Sequence, residues 1–419
     1  MTRRRKRNNT DIIIIGGGAS GLAAACVCAQ AGARTLLAER QDRVGRKLLA
    51  TGSGRCNLLN TGPPVYFGDA AFARRVLSSC HAQHVMDFFG NLGLTFREEE
   101  GGLVYPASGR ASEVLDVLRL PLEASPHVTV MTGTEVVDLS HLDGELAVTT
   151  RDDTVFAARC VIAAGGGPAA PRLGGTYSLY AMLERLGHTV VPPKPALTSL
   201  KTAREGIRGL SGLRVNAVCT LADGDTSIET AQGEVLFTDY GVSGVCVMQL
   251  SRTAGALLAA GKTPVLYLDF SPLMGLAPFR WTRLPVQQPG LAAPAALAWL
   301  TDRAERLPER QLLVGAFPRL LADRLSNHPL PRLAELATGY PLSITGVRGF
   351  EHAQVTAGGI DTADIDPATM ASRLVSRLYL AGELLNVDGD CGGYNLLFAW
   401  ASGITAARAA LNTVHAESS

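Results

Sequence analysis

The sequence predicts an α/β fold in which a discontinuous α/β domain is interrupted by a β-rich segment and a helical segment. Near residue 11, a buried strand leads into a glycine-rich loop and a helix. Residues 197–270 alternate β-branched residues with glycine-rich turns, and residues 291–338 carry helical patterns rich in Leu, Ala and Arg. Buried strands return near residues 355 and 378, so we expect the end of the chain to complete the first domain.

Composition and charge limit the classes of protein. The 419 residues are 47% hydrophobic and 18% charged, with a formal net charge of +1, so the chain can bury a large core in two or three units. The small net charge predicts no nucleic-acid partner, and interrupted apolar runs predict no membrane span. Eight scattered cysteines predict no metal site and a reduced, cytoplasmic protein. Residues 1–10 predict a basic disordered tail, with a nucleic-acid or lipid contact as the alternative.

The first motif is the pattern Gly16-x-Gly18-x-x-Gly21, which follows a predicted strand at residues 12–15 and opens a helix. Its glycines permit a tight turn, close approach of the backbone to a pyrophosphate, and close packing of helix on strand. A second strand at residues 35–38 ends at Glu39, where an acid accepts a hydrogen bond from ribose; a solvated strand-end acid is the alternative. The predicted dinucleotide site here comprises Gly16, Gly18, Ala19, Ser20, Gly21, Glu39 and Arg40.

A second candidate segment is the glycine-rich stretch 45–57. Two basic residues at its start can neutralise phosphate, and its hydroxyls and backbone N–H groups can bind it. A surface loop with a chance basic pair is the alternative. The candidates are Arg46, Lys47, Gly52, Ser53, Gly54, Arg55, Cys56 and Asn57.

The segment from residue 128 to residue 167 indicates which dinucleotide is bound. Short strands predict a meander through Phe156, and a buried strand at residues 160–164 then returns and ends at a glycine triplet. A meander before a returning parallel strand is typical of FAD-binding folds. This prediction adds Val136, Ala164, Gly165 and Gly166 to the site.

The last motif predicts the flavin end of the cofactor site. A buried strand at residues 378–381 ends at Gly382 and Glu383, and this acid can accept from ribityl hydroxyls. A glycine pair then precedes a helix from about residue 395, whose positive end can stabilise the negative charge of a reduced flavin. A helix-capping pair is the alternative for the glycines. The candidates are Gly382, Glu383, Gly392, Gly393, Tyr394 and Asn395.

These motifs resemble a family of bacterial NAD(P)/FAD-dependent oxidoreductases that includes aminoacetone oxidases and 3-dehydro-bile-acid reductases. The resemblance runs from about residue 10 to residue 411 and rests on segments 45–48, 52–57, 236–244, 345–350, 355–359 and 388–395. It implies an FAD-binding domain at 11–192 and 355–419, an inserted β-rich domain at 193–270 and 339–354, and a helical subdomain at 271–338. The chain departs from the family pattern at residues 173–179 and at Val245.

The sequence therefore predicts a cytoplasmic flavoprotein that passes a hydride between a small organic substrate or NAD(P)H and flavin N5. A second dinucleotide motif is absent, so any NAD(P)H is expected to dock transiently. No histidine lies in the flavin motifs, which favours non-covalent FAD, although Cys391 leaves covalent attachment open. The alternatives are an oxygen-using amine oxidase of the aminoacetone type and a non-catalytic FAD-binding protein. The catalytic residues and the oligomeric state are left open.

Overall fold

The structure is a computed structural model that describes residues 4–5, 10–142, 145–277 and 293–416. Two compact units make up the chain: unit 1 comprises Met1–Lys194 and Val355–Ser419, and unit 2 comprises Pro195–Gln354. The sequence Asp143-Gly144 predicts a turn, and these two residues lie outside the described ones. The finer domain boundaries, including the helical subdomain at 271–338, stay a prediction.

Unit 1 combines a mixed sheet with helices. Its elements are β1 (Arg4–Arg5), β2 (Thr10–Ile15), α1 (Ala19–Gln30), β3 (Thr35–Ala38), α2 (Arg46–Ala50), β4 (Leu59–Asn60), β5 (Tyr66–Gly68), α3 (Ala70–Ser79), α4 (Ala82–Asn91), β6 (Phe96–Glu99), β7 (Leu103–Pro106), α5 (Ala111–Ala124), β8 (Val128–Met131), β9 (Val136–Leu142), β10 (Glu145–Thr150), β11 (Thr154–Ala163), α6 (Ser178–Arg185), β12 (Val190–Ala196), β19 (Val355–Ile360), β20 (Leu378–Leu380), β21 (Val387–Gly389) and α12 (Tyr394–Ala416).

The main sheet has the strand order β8-β3-β2-β11-β10-β9, and its strands β8, β3, β2 and β11 are parallel neighbours. Strand β11 pairs with antiparallel β10 through residues 155–158 and with parallel β20 through residues 161–163. The predicted meander strand ending at Phe156 and the predicted returning strand at 160–164 are therefore one strand. Since residues 154–163 include neither Gly nor Pro, nothing in this segment breaks the extended backbone. The Rossmann-type α/β fold predicted from the sequence is confirmed.

Helices α1 and α12 pack closely, because an added Cβ on Gly403 would lie only 2.3 Å from the Ser20 carbonyl oxygen. The N-terminus of α1 is thus fixed against a helix that begins 375 residues later (394 − 19). The sequence pattern of residues 75–90 predicts one helix, and this prediction is wrong. Helices α3 and α4 are separate, and Cys80 between them has the non-helical angles φ −134° and ψ 74°. Among the described residues, no helix has both the length and the apolar character that crossing a membrane requires.

Unit 2 is built around a closed β-barrel. Its elements are β13 (Leu200–Thr202), α7 (Arg204–Ile207), β14 (Arg214–Asp223), β15 (Thr226–Phe237), β16 (Gly241–Ser243), α8 (Val245–Ala259), β17 (Val265–Asp269), α9 (Ala293–Arg306), α10 (Arg319–Leu325), α11 (Leu330–Thr338) and β18 (Tyr340–Val347). The barrel order is β13-β16-β15-β14-β17-β18. In β14, every second residue from Val215 to Leu221 is buried in the core of unit 2, which matches the side-chain period of a strand.

Prolines have two positions in this part of the chain. Some precede helices of unit 2, and others lie within strand β12 at the end of unit 1. In the sequence, Pro318 and Pro329 predict breaks between short helices. They are the N-cap residues of α10 and α11, so a helix starts at each of these breaks. The proline-rich sequence of residues 191–195 predicts a stiff linker at a domain exit. Unit 1 does end at Lys194, but the prediction of a linker outside the regular elements is wrong. They lie in strand β12, which pairs with β19 in a two-stranded sheet. An edge strand tolerates proline, because its outward N–H group needs no partner strand.

Candidate cofactor site

The loop between β2 and α1 has three glycines with two different structural roles. Gly16 has φ +106°, and an added Cβ would lie 2.6 Å from the Ala164 carbonyl oxygen. A Cβ on Gly21 would lie 1.9 Å from the Gly16 carbonyl oxygen. A Cβ on Gly18, by contrast, would meet no atom within 4 Å. Packing therefore requires glycine at positions 16 and 21, whereas Gly18 leaves open space of the kind that a closely approaching ligand needs.

Helix α1 starts beside this open space. It begins at Ala19, and no side chain caps its N-terminus. Backbone N–H groups of the first turn have no intrahelical acceptor, and together with the helix dipole they favour an anion. Ser20 is buried and packs under Gly382, where an added Cβ would lie 2.5 Å from the Ser20 Oγ atom. The two motifs at opposite ends of the chain therefore meet at the start of α1.

Glu39 follows strand β3 and is anchored to the glycine loop. Its Oε2 atom accepts from the Gly17 N–H group at 2.7 Å, and its Oε1 atom accepts from the Gln41 N–H group at 2.7 Å. A cleft adjoins it, and the predicted residues that line this cleft are Gly16, Glu39, Arg40, Val136 and Gly165. The structure thus brings together residues that are up to 149 positions apart in the sequence (165 − 16).

Lys47 and Glu383 form an ion pair at the other predicted acid. The Lys47 Nζ atom lies 2.9 Å from the Glu383 Oε2 atom, and the Glu383 Oε1 atom accepts from the Thr356 N–H group at 3.0 Å. An added Cβ on Gly166 would lie 4.0 Å from Glu383 Oε2, so the loop after β11 passes beside this carboxylate. We expected Lys47 to neutralise phosphate; the structure brings it to Glu383.

Hydrogen bonds to nearby residues hold the Arg46 side chain. Its guanidinium donates to the Gln41 side chain at 2.7 Å and to the Arg172 carbonyl oxygen at 3.1 Å. The remaining Nε atom is buried and has no hydrogen-bond partner. A buried donor without an acceptor costs free energy, and an added ligand oxygen can satisfy it.

The loop at residues 51–57 has left-handed backbone at Gly52, Ser53, Gly54 and Cys56, with φ between 55° and 87°. The Cys56 side chain is fully buried, and burial raises the pKa of its thiol to about 12, so it is a core residue and a neutral thiol. Arg55 lies 4.3 Å from the Tyr105 ring centroid and forms an ion pair with Glu99.

Asn57 brings this loop to the C-terminal glycine motif. An added Cβ on Gly393 would lie 2.6 Å from the Leu59 backbone and 2.9 Å from the Asn57 Oδ1 atom. The Asn57 Oδ1 atom is buried and has no partner. Asn60 donates to the Gly392 carbonyl oxygen at 2.8 Å, which fixes the same approach to α12.

At the start of α12, Tyr394 and Asn395 form hydrogen bonds with other residues of the protein. The Asn395 side chain accepts from the Gly389 N–H group at 2.8 Å and donates to the Gly389 carbonyl oxygen at 2.7 Å. Tyr394 is buried, and its carbonyl oxygen accepts from the Tyr66 hydroxyl at 2.8 Å. Gly392 and Gly393 both have positive φ, at 122° and 95°. These contacts orient the N-terminus of α12. The side chain of Asn395 hydrogen-bonds to Gly389 at the start of the loop that precedes the helix.

An extended cofactor fits the donors and acceptors of unit 1. Four buried side-chain atoms of this unit have no hydrogen-bond partner and lie on segments of the candidate site: Arg40 Nε, Arg46 Nε, Asn57 Oδ1 and Tyr180 Oη. Native structures leave few such atoms unsatisfied, so their clustering on these segments indicates a ligand. With the open space at Gly18, they match a dinucleotide.

The sequence marks the loop at residues 173–179 as a departure from the family pattern, but it does not mark Tyr180, which follows that loop. Burial, and then the charge of Glu383, raises the pKa of the Tyr180 hydroxyl. Gly174 and Thr176, in the loop that departs from the family pattern, line the cleft beside Glu39. Nothing in the sequence distinguishes Tyr180 from the other apolar positions of α6, where it is buried.

Fold and family together define a flavin-dependent oxidoreductase with a Rossmann-type FAD-binding domain. Residues 10–409 match the model of the HI0933-like protein Rossmann domain family, and the chain belongs to this family. The family resemblance, the enzyme class and the FAD cofactor predicted from the sequence are thereby confirmed.

Two similar relatives cover almost the whole chain. A 3-dehydro-bile acid delta(4,6)-reductase from Clostridium scindens is 36% identical over 93% of this chain and 96% of that protein. A ribosomal RNA dihydrouridine synthase from Escherichia coli is 29% identical over 91% of this chain and 93% of that protein. We expected no nucleic-acid partner from the small net charge. Because the second relative is named for ribosomal RNA, that expectation is not supported.

Among solved structures, the fold is similar to a 3-ketosteroid delta1-dehydrogenase from Sterolibacterium denitrificans. The TM-score is 0.51 with 15% sequence identity, and the match covers 98% of this chain and 100% of that chain. At this identity the similarity concerns the fold alone.

Proposed function

We propose that the protein is an FAD-dependent reductase of a carbon–carbon double bond conjugated with a carbonyl group, with NAD(P)H as the hydride source. The observation that carries this proposal is the 36% identity to the 3-dehydro-bile acid delta(4,6)-reductase over 93% of the chain. Similarity at this level along nearly the whole chain supports a shared reaction type, and it does not specify the same substrate.

The names of the two relatives describe one type of chemistry. In a 3-keto steroid with delta-4 and delta-6 double bonds, the double bonds are conjugated with the ketone. In uridine, the double bond that is saturated in dihydrouridine is likewise conjugated with a ring carbonyl. Each reaction adds a hydride to the end of a double bond that is electrophilic through conjugation, which is the β carbon or, in a dienone, the δ carbon. A proton then adds to the neighbouring carbon on the side of the carbonyl. When bound, FAD supplies the hydride from its reduced ring.

The candidate site offers a role for each part of the cofactor. The N–H groups at the start of α1 and the space at Gly18 bind the pyrophosphate, and Glu39 accepts from the adenosine ribose. Glu383, paired with Lys47, accepts from the ribityl chain. The N-terminus of α12 stabilises negative charge on the reduced flavin ring. These contacts hold FAD without a covalent bond.

Uridine in ribosomal RNA is a second candidate substrate for the same chemistry. The observation that favours it is the 29% identity to the ribosomal RNA dihydrouridine synthase over 91% of this chain. We rank the conjugated enone before uridine because the identity to the bile-acid reductase is higher, at 36% against 29%.

The test is anaerobic stopped-flow spectroscopy of the purified holoprotein. NADH and NADPH are mixed with it separately, and the bleaching of the flavin band is followed. The reduced protein is then mixed with a 3-keto-delta-4,6 bile acid, with a transcribed ribosomal RNA, or with buffer. We expect rapid bleaching by one nicotinamide and rapid recovery of the flavin band with the bile acid.

Each other outcome selects a different function. Recovery with the RNA, and not with the bile acid, assigns the second candidate. Bleaching by aminoacetone and by neither nicotinamide selects the amine oxidase. A flavoprotein that reacts with none of these reagents contradicts the proposed reductase. The Gly18→Val variant, which we expect to lack FAD, gives the background of every mixing experiment.

A further inference from the structure

Two cysteines of unit 2 have their sulfur atoms in contact. Cys219 lies in strand β14, and Cys246 is the second residue of helix α8. The Cys219 thiol donates to the Cys246 sulfur at 3.7 Å, and Cys246 donates in turn to the Glu234 carbonyl oxygen at 3.6 Å. A disulfide bond holds its sulfur atoms about 2 Å apart, so a movement of less than about 2 Å would join this pair.

The position of Cys246 favours the charged form of its thiol. Helix α8 spans Val245–Ala259, and no side chain caps its N-terminus. The positive end of a helix stabilises a thiolate in the first turn. The hydrogen bond from Cys219 lowers the pKa of the Cys246 thiol, although burial opposes it, whereas the same bond and burial raise the pKa of Cys219. Cys246 therefore ionises first, and Cys219 keeps its proton.

A neutral thiol that only fills space in a core has a raised pKa. Cys26, Cys28 and Cys56 of unit 1 are such residues, because burial raises the pKa of each thiol to about 12. Cys246 is also buried, with 1% of its surface exposed, yet the pKa of its thiol lies below the ordinary value. The contact with a second thiol distinguishes Cys246 from those core residues.

Cys246 lies close to the protein surface. Val245, the first residue of α8, is 53% exposed. Gly233, in strand β15, is half-buried, and an added Cβ there would lie 3.6 Å from the Cys246 Sγ atom. Glycine at this position leaves the sulfur without a covering side chain from β15. Because helix ends open readily, a molecule about as small as water can reach Cys246 at the start of α8.

We propose that Cys219 and Cys246 form a reversible redox site, which a small hydroperoxide such as hydrogen peroxide oxidises to a disulfide. The Cys246 thiolate attacks one peroxide oxygen, the O–O bond breaks, and the departing hydroxide takes the proton that Cys246 released. The Cys219 sulfur then bonds to Cys246, the new S–O bond breaks, and this second hydroxide takes the Cys219 proton. The two sulfur atoms lose two electrons, and hydrogen peroxide becomes two water molecules. A dithiol reverses the step by thiol–disulfide exchange.

The bond would have a local effect on unit 2. It would join strand β14 to the start of α8 through residues that are 27 positions apart in the sequence, and so fix this helix against the barrel. No cofactor takes part, so the inference is independent of the proposed function.

The test is mass spectrometry of the holoprotein after treatment with hydrogen peroxide. Trypsin cleaves after Lys and Arg, so it releases residues 215–252 as one peptide, whose only cysteines are Cys219 and Cys246. After peroxide and then denaturation in iodoacetamide, we expect this peptide to carry no label and to be lighter by two hydrogen atoms than its unlabelled dithiol form. Cleavage at Glu234 should give two fragments that only a disulfide joins. Dithiothreitol, added before the iodoacetamide, should restore both labels.

The chain contains a matched control. Trypsin also releases residues 8–34 as one peptide, whose only cysteines are Cys26 and Cys28. These thiols are buried in α1, and side chains two positions apart on a helix do not face each other. We expect peroxide to remove their labelling at least roughly tenfold more slowly than that of Cys219 and Cys246. Equal rates for the two peptides, or full labelling of residues 215–252 after peroxide, overturn the inference.

Two variants identify the thiol that reacts first. Cys219→Ser keeps a hydroxyl donor beside Cys246 but removes the second thiol, so the sulfenic acid should persist on Cys246. Dimedone, added with the denaturant after peroxide, should label it there. In Cys246→Ser, dimedone should label Cys219 at least roughly tenfold less, because a buried neutral thiol is a poor nucleophile. Equal labelling of the two variants would contradict the assignment of Cys246 as the attacking thiolate.

Discussion

The Lys47 Nζ atom lies 2.9 Å from the Glu383 Oε2 atom, although 336 positions separate the two residues in the sequence. Their side chains are 29% and 21% exposed, so the pair is partly shielded from water. The other carboxylate oxygen accepts from the Thr356 N–H group at 3.0 Å. Glu383 therefore connects α2 with β19 and, in our proposal, the ribityl chain of FAD.

Replacing Glu383 with Gln is expected to weaken FAD binding by about 1.5–3 kcal/mol, because charged hydrogen bonds become neutral ones. Equilibrium dialysis against FAD measures this change. A cycle with Lys47→Met and the double variant separates the ion pair from the cofactor contact. If Glu383→Gln binds FAD as the unsubstituted protein does but unfolds at a lower temperature, the acid only stabilises the fold.

Gly18 provides a test in which binding and folding respond differently. The residue has φ −82° and ψ −167°, which any amino acid adopts, and an added Cβ meets open space. Gly18→Val should therefore fold with a stability within about 1 kcal/mol of the unsubstituted apoprotein, yet purify without FAD. Gly21→Ala is the contrasting control, since its Cβ would lie 1.9 Å from a backbone oxygen. It should lower the melting temperature of the apoprotein. Normal yellow colour in Gly18→Val would contradict the proposed position of the pyrophosphate.

The local parts of the site were predictable because their chemistry lies within one short segment. Glu39 follows Gly16 at the spacing of a β-α-β unit, and the glycine pattern has a known geometric purpose. The pairing of Lys47 with Glu383 was not predictable, because nothing near Lys47 indicates which distant acid approaches it. Strand β11 was predicted as two strands for a related reason. The periodicity of a sequence indicates which residues of a strand are buried. It does not indicate that two different strands pair with successive parts of one strand along the same edge.

Glu39 is expected to support both the cofactor and the glycine loop. Glu39→Ala removes a ribose acceptor together with the 2.7 Å bonds from the Gly17 and Gln41 N–H groups. We expect FAD binding to weaken by roughly 1–3 kcal/mol. Glu39→Gln keeps one acceptor oxygen and should lose less. Fluorescence titration of apoprotein with FAD measures both variants, and an unchanged dissociation constant in Glu39→Ala would leave the residue with its bonds to the glycine loop and no part in binding FAD.

Cys391 is expected to be a neutral thiol that electron transfer does not need. Burial, and then the charge of Asp390, raises the pKa of the Cys391 thiol to about 11. The thiolate is the reactive form, so at neutral pH the residue should react slowly with iodoacetamide, and the rate should rise as the pH approaches 11. Peptide mapping by mass spectrometry separates it from the seven other cysteines, all of which are buried.

Cys391→Ser is the direct test of this role. The residue follows Asp390, whose side chain accepts from the Cys391 N–H group at 2.7 Å, and serine preserves that backbone bond. We expect the variant to keep its yellow colour, to release FAD intact on acid treatment, and to retain most of its bleaching rate with NAD(P)H. A fall of about a hundredfold with FAD still bound would make the thiol an acid or a nucleophile, since losses of that size accompany removal of such groups. FAD that stays attached to the unsubstituted protein in acid, and is released from Cys391→Ser, would identify Cys391 as a covalent tether.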